Sequence, residues 1–264
     1  MRALIKIGGT LLDAAESRNR LAGEIARAIE NGLSTVIVHG GGKQMTRFLA
    51  EHGVESRFVN GLRVTTPEVL DAVLKVLAGS VNQELVAALV ACGARAVGLS
   101  GMDALLTLAE PISDELGAVG RPVRSDGELI RLLIEHAYLP VIACLAGDRQ
   151  GRFYNVNADQ MAVSVASAIQ AERLFFLTDV DGVWDENRSI YPNITLGICS
   201  RLIETGLATG GMRAKLEAAG EAIRLGVGEV VIAPGAVPGV MERLVAGDRL
   251  GTRLIGEVGA RLNA

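Results

Sequence analysis

Apolar and polar residues follow two alternating patterns over much of the chain. The opening stretch "ALIKI" (3–7) is apolar except for Lys6 and runs straight into Gly8 and Gly9. A short apolar run stopped by glycine predicts a strand buried on both faces. Helical spacing over 17–31 predicts a helix ending near Asn31 and Gly32. "STVIVHGGG" (34–42) predicts a second buried strand. "KQMTRFLAEHG" (43–53) predicts a helix with Met45, Phe48, Leu49 and His52 on one face and Gly53 as its stop. A long helical pattern runs from about Pro67 to Cys92, followed by the strand "ARAVGLSG" (94–101). "LPVIACLA" (139–146) and "AERLFFLTDV" (171–180) predict strands on either side of the helix "DQMAVSVASAIQ" (159–170). The scheme then repeats with a helix over 211–225, the strand "EVVIA" (229–233) and a helix over 238–246.

Strands without polar alternation, set between helices, predict an α/β fold: a three-layer αβα sandwich around a mainly parallel central sheet. In such sheets ligands sit beyond the carboxyl ends of the strands, which is where the glycine clusters fall. A soft boundary near residue 170 divides an N-terminal lobe (1–170) from a C-terminal lobe (171–264).

Composition narrows the function classes. Of the 264 residues 49% are hydrophobic but only 3% aromatic, so Ala, Val, Leu and Ile must build the core. The net charge of -4 comes from acids and bases mixed along the chain, which argues against a nucleic-acid partner. No stretch approaches the roughly 18 continuous apolar residues of a membrane span, and the start shows no signal peptide. The expectation is a cytoplasmic protein. Cys92, Cys144 and Cys199 are widely spaced and lack CxxC spacing, so they read as small core residues. His39, His52 and His136 form no metal-like constellation, and no protein metal site is expected.

Five segments can carry chemistry. "VHGGGKQMT" fails as a P-loop, because Gln44 follows Lys43 where a hydroxyl is required. Gly40, Gly41 and Gly42 instead offer either an anion-holding turn of bare amides or a turn that needs glycine backbone angles. Arg63 in "NGLRVTTPE" is either a solvated charge or a planar fork for a substrate carboxylate, with Thr66 as N-cap and Pro67 at the first helical position. In "YNVNADQMA", Asn155 and Asn157 alternate toward one side. Asp159 either caps the following helix or positions nearby ammonium groups. "FFLTDVDGVW" ends a strand in an Asp-rich turn that lacks the further ligands of a calcium loop. Lys215 in "TGGMRAKLEAAG" is either a surface residue or a phosphate contact near a helix N-terminus.

Together "KIGG", "VHGGG", "NGLRVT", "VLAGSVNQELV", "AVGLSG", "NVNADQMA", "LTDVDGV" and "GGMRAKL" resemble, in order and spacing, the amino-acid-kinase family over essentially the whole chain. Within it the chain is most similar to the branch that phosphorylates N-acetyl-L-glutamate in arginine biosynthesis. The resemblance implies that Lys6 and Lys215 flank the transferred phosphoryl group, with Asp159 organising both. It implies that Gly8 and Gly9 supply amides to the phosphates. Gly41 and Gly42 would hold the acceptor carboxyl, and Arg63, Asn155 and Asn157 would complete acceptor binding. Thr178, Asp179, Val180, Asp181, Gly182, Val183, Thr209 and Met212 would line the nucleotide pocket. ATP is the implied co-substrate, with Mg²⁺ bound mainly through its phosphates. The N-terminal lobe would bind acceptor and form the dimer, and the C-terminal lobe would bind nucleotide.

Three departures from the family pattern qualify this. Lys43 stands where proline is common, and Met102 and Ala104 stand where lysine and glycine are common. These leave open an acceptor with another N-substituent, such as N-succinylglutamate or a carrier-linked aminoadipate or glutamate. A catalytically silent amino-acid sensor is the rival outside the enzymes. The chain starts directly at its first strand, whereas arginine-inhibited relatives resemble one another in an extra N-terminal helix that links dimers into hexamers. The expectation is a homodimer little affected by arginine. A P-II-type regulatory partner is known for relatives, but no residue here supports one.

Overall fold

The computed structural model describes residues 1–256; the end of the expected C-terminal lobe, 257–264, lies outside the described residues. The chain begins β1 (Arg2–Ile7), α1 (Ala15–Glu30), β2 (Ser34–His39), α2 (Gly42–Glu51) and a hairpin of β3 (Phe58–Val59) and β4 (Leu62–Arg63). One continuous rod follows: α3 (Pro67–Val73), a π-helical stretch (Leu74–Val81) and α4 (Asn82–Ala91). Next come β5 (Ala96–Ser100), β6 (Thr107–Pro111), β7 (Val119–Ser125), α5 (Glu128–Glu135), β8 (Leu139–Ala143), β9 (Leu145–Gly147), β10 (Phe153–Val156) and α6 (Ala158–Ala168). The described residues end with β11 (Arg173–Thr178), β12 (Asn193–Ile194), α7 (Leu196–Glu204), α8 (Gly210–Arg224), β13 (Glu229–Pro234), α9 (Val240–Ala246) and β14 (Thr252–Ile255).

Among the described residues eight strands form one sheet in the order β12-β14-β13-β11-β1-β2-β8-β5, and only the β13–β14 pairing is antiparallel. Leu4, Ile5, Val36, Ile37, Phe175 and Phe176 in its centre are wholly buried. The first crossover carries β1 to β2 in one direction, and a later one carries β11 to β13 in the other. Right-handed crossovers running opposite ways put their helices on opposite faces. Accordingly α1 packs with α4 and α9, while α6 packs with α8. Neighbouring β1 and β11 are therefore the point where the strand order reverses, and a ligand crevice opens beyond their carboxyl ends. Gly8, Gly9, Thr178 and Asp179 stand there.

Two stretches differ from the sequence pattern. "LPVIACLA" is one apolar run but two strands: β8 ends at Ala143 in the main sheet, and β9 starts at Leu145 in a small closed barrel, β10-β7-β6-β9. The rod Pro67–Ala91 is long and apolar enough to cross a membrane by length and composition. Here it packs against α1, β5 and β8, and its Val69, Val73, Leu77, Leu85 and Leu89 belong to the core.

Candidate active site

Lys6 sits inside the central strand, in register with Val38 on one side and Phe176 on the other. It is almost fully buried, and its Nζ lies 2.7 Å from Asp159 Oδ1. Lys215, in the second turn of α8, brings its Nζ to 3.6 Å from Asp159 Oδ2. One carboxylate is thus held between two ammonium groups supplied by opposite ends of the sequence. Burial of Asp159 pushes its pKa up, but the charges of Lys6 and Lys215 outweigh that and hold its carboxyl below the usual value. A buried, doubly paired carboxylate has no basicity to spare near neutral pH. The cluster keeps a net positive charge, suited to an anion.

The capping reading of Asp159 does not hold. Asn157 is the N-cap of α6, and its Oδ1 accepts from the backbone amides of Asp159 (2.9 Å) and Gln160 (3.2 Å). With the cap supplied two residues earlier, Asp159 is free to turn to the lysines.

The glycine turns are close neighbours. A Cβ on Gly9 would lie 3.0 Å from the Gly41 and Gly42 backbone, and one on Gly41 would lie 2.5 Å from Leu77 Cδ2. Gly41 has an extended φ of -173°, so this turn needs glycine for space and not for left-handed angles. Leu77 presses on it from the π-helical stretch of the rod, the kind of local widening found at functional sites. Gln44 donates to the Gly9 carbonyl at 3.1 Å and ties the two turns together.

Beneath them His39 is fully buried. Asn82 Nδ2 donates to its Nε2 (3.0 Å) and to the Val141 carbonyl (3.0 Å), which leaves His39 Nδ1 to donate to the Gly40 carbonyl (3.1 Å). Burial pushes the His39 pKa down to about 4, although its bond to Gly40 opposes the shift. Neutral His39 therefore anchors the second glycine turn. Sequence reading found no role for His39 or Asn82, because their pairing spans 43 residues and follows no local pattern.

Arg63 is not a solvated charge. It is buried on β4, stacks 4.6 Å over the Phe58 ring, and donates to Ser56 Oγ, to the Gly42 carbonyl (3.1 Å) and to Thr46 Oγ1 (2.8 Å). Asn155 donates to Thr65 Oγ1 at 3.1 Å. Gly41, Gly42, Arg63, Asn155 and Asn157 together line a pocket of about 170 Å³, with Cys144 in its wall. Burial raises the Cys144 thiol to about 11 even though the Lys6 charge opposes this, so the cysteine acts as an inert wall residue.

Gly42, Phe58 and Arg63 also border a larger cleft of about 670 Å³, which reaches Lys6, Gly8, Gly9, Thr178, Asp179 and Lys215 and has Lys43 and Arg47 at its rim. A third hollow of about 190 Å³ takes in Val180, Gly182, Val183 and Met212. Asp181 and Thr209 are exposed and line none of these three spaces; Thr209 instead accepts the first backbone bonds of α8, from Met212 and Arg213. Met102 lies against Gly147 in the barrel and also lines none of them. Among the described residues no group of three or more His, Cys, Asp or Glu side chains is placed to hold a metal ion.

The family model described as "Amino acid kinase family" matches residues 1–234. The chain is 57% identical over 255 residues to a protein named acetylglutamate kinase from Solibacter usitatus, covering 97% of this chain and 99% of that one. It is 39% identical over 264 residues to another of that name from Koribacter versatilis, covering 98% and 100%. Among solved structures it is similar to N-acetylglutamate synthase from Neisseria gonorrhoeae, with TM-score 0.87 and 27% identity; the match covers 97% of this chain and 59% of that longer one. It is also similar to smu.665 from Streptococcus mutans, with TM-score 0.82, 28% identity and coverage of 96% and 98%. With the lysine–aspartate–lysine cluster and the paired glycine turns at the strand-order reversal, these matches establish that the chain belongs to the amino acid kinase family.

Proposed function

We infer that the chain transfers the γ-phosphoryl group of ATP to the side-chain carboxylate of N-acetyl-L-glutamate, forming N-acetylglutamyl 5-phosphate for arginine biosynthesis. The observation that carries the transfer is Asp159 between Lys6 (2.7 Å) and Lys215 (3.6 Å) at the head of a glycine-lined cleft. The acceptor rests on similarity along nearly the full chain to proteins named acetylglutamate kinase. That similarity does not favour a bulkier acceptor or a silent sensor.

A carboxylate is already a nucleophile at neutral pH, so the reaction needs no general base. The obstacle is bringing one anion up to another in line. In this reading Arg63, Asn155, Asn157 and the Gly41–Gly42 backbone hold the acceptor in the smaller pocket. Gly8 and Gly9 cradle the phosphates, and Lys6 and Lys215 meet the charge that develops on the transferred group. Asp159 positions both lysines and takes no proton. Mg²⁺ neutralises charge when bound; with no cluster of three ligating side chains among the described residues, it would be held mainly by the nucleotide phosphates. Thr178, Asp179, Val180, Gly182, Val183 and Met212 lead toward the base, with Asp181 and Thr209 outside the hollow.

The lobes divide the work, with 1–170 for the acceptor and the dimer and 171–264 for the nucleotide. A homodimer in the cytoplasm completes the reading. The edge strand β5 has no neighbour beyond it among the described residues, and such an edge is normally covered. Sedimentation giving a monomer would remove the dimer. The test of the activity is to trap acyl phosphate with hydroxylamine after incubation with Mg-ATP and N-acetyl-L-glutamate, with N-succinylglutamate, glutamate and aspartate in parallel. Hydroxamate formed selectively with N-acetyl-L-glutamate is the expected result. Hydroxamate formed only with another acid would replace the acceptor.

A further inference from the structure

Trp184 is the single tryptophan of the chain, and half of its surface is exposed. Large aromatic side chains normally bury most of their surface, so an exposed one at the edge of a hollow marks a surface for a ligand. It is not on a loose loop. Tyr191 N–H donates to the Val183 carbonyl and Asp185 N–H to the Ser189 carbonyl, both at 2.8 Å, which makes Trp184 part of a short hairpin arm. Val183 N–H donates to Thr252 Oγ1, also at 2.8 Å, and fixes the arm to β14.

The ring lines the 190 Å³ hollow with Val180, Leu202, Leu207 and Met212, and every residue around the hollow is apolar or glycine. Val180 and Leu207 are exposed as well, so three large apolar side chains face an open slot without cover. The slot continues into the cationic cleft along two elements. Thr178 and Asp179 line the cleft and Val180 lines the slot; Met212 lines the slot and Lys215, one helical turn on, lines the cleft. A ligand that fits both spaces has a polyanionic end and a flat apolar end.

We propose that Trp184 is a binding residue of the nucleotide site, stacking on the base of ATP while the triphosphate extends to Lys6 and Lys215. This rests on the kinase reading above and adds the residue that directly follows the "LTDVDGV" motif. Apart from the indole N–H of Trp184 these side chains carry no polar group, so the slot meets chiefly the face of a base. Loss of the ring should therefore weaken nucleotide binding and leave the phosphoryl step largely alone.

The single tryptophan provides the readout. Titration of the purified protein with Mg-ADP and Mg-ATP should change its emission saturably. Tripolyphosphate, which fills only the cationic cleft, should compete with ATP without changing the emission. Trp184→Leu should raise the KM for ATP about tenfold, within the range for base–aromatic stacking, with kcat changed less than twofold and the acceptor KM unchanged. Calorimetric ATP binding with silent emission and an unaltered Kd in Trp184→Leu would overturn the proposal and leave the kinase reading intact. Emission that follows protein concentration and ignores nucleotide would overturn it in favour of a second copy of the chain on this patch. Nucleotide-dependent emission with no phosphorylation of any acceptor would uphold Trp184 and overturn the acceptor reading. No calorimetric binding of ATP would overturn both.

Discussion

The two ends of the crevice are built by opposite means. At the transfer end, charge is buried: Lys6 and Asp159 are each only 6% exposed, and Gly9 packs on the Gly41–Gly42 backbone with no room for a Cβ. At the base end, apolar surface is exposed: Val180, Trp184 and Leu207 face an open slot. Buried charge is costly unless its geometry is fixed, so the transfer end must be preorganised before substrate arrives. On the proposed reading the base end needs only shape, and the nucleotide base supplies the missing cover. Changes at the first end should therefore act on turnover, and changes at the second on nucleotide affinity.

Removal of a transfer-end lysine is the strongest test of that contrast. For Lys6→Ala we expect kcat to fall roughly 10²–10³-fold, by analogy with deletion of one preorganised donor. The KM for ATP should change far less. Asp159 would keep only Lys215 at 3.6 Å, so a thermal melt must accompany the kinetics to show that the variant is folded. Near-normal turnover in a folded variant would refute the assignment of Lys6.

The contrast also shows what could be read from the chain. Lys6 and Lys215 stand out in sequence because each lies close to a pair of glycines, and Asp159 because it is the one acid in a polar cluster just ahead of an apolar helix. Their roles were less visible. Asp159 reads equally well as an N-cap until Asn157 is seen to hold that position. Six strands of the main sheet were legible because they are largely continuous apolar runs; β12, two residues long, and β14, buried only at alternate positions, were not. The barrel was not: β7 is buried only at its start, and a register shift between Leu108 and Ala109 breaks the β6–β7 pairing. The base slot was half legible. Its backbone turn and Trp184 lie together in "FFLTDVDGVW", whereas Leu202 and Leu207 reach it through tertiary packing.

A pH titration tests whether the transfer end rests on a neutral buried histidine. The folded pKa of His39, about 4, lies below the ordinary 6.5. The unfolded chain therefore binds the proton first as pH falls, and stability declines between about 6.5 and 4. The loss should reach roughly 3 kcal/mol near the lower limit. Urea midpoints from pH 7.5 to 4.5 should fall more steeply for the native chain than for His39→Gln. Parallel slopes would show that His39 does not carry the effect.

Arg63 should affect acceptor binding selectively. Arg63→Lys keeps the charge but loses the planar fork that reaches Ser56, the Gly42 carbonyl and Thr46. An acceptor KM raised about tenfold with the KM for ATP unchanged is the expected pattern, roughly the worth of one charge-assisted hydrogen bond. Equal changes in both constants would mean that Arg63 supports the cleft as a whole.

The smallest effect belongs to a position away from both ends. Ala104 has φ +51° and ψ +25°, a left-handed conformation that costs an L-residue about 1–2 kcal/mol. Its side chain is exposed, so its loss leaves no cavity. Ala104→Gly relieves that strain but gives the unfolded chain more freedom, worth about 0.5–1 kcal/mol the other way. The difference should stabilise the fold by about 0.5–1 kcal/mol, seen as a higher urea midpoint. Since Ala104 lines none of the three spaces of the crevice, kcat and both KM values should not move. A lower midpoint would show that the turn is held by something other than backbone strain. A changed KM for the acceptor would tie this loop to the smaller pocket and undo the separation of ends.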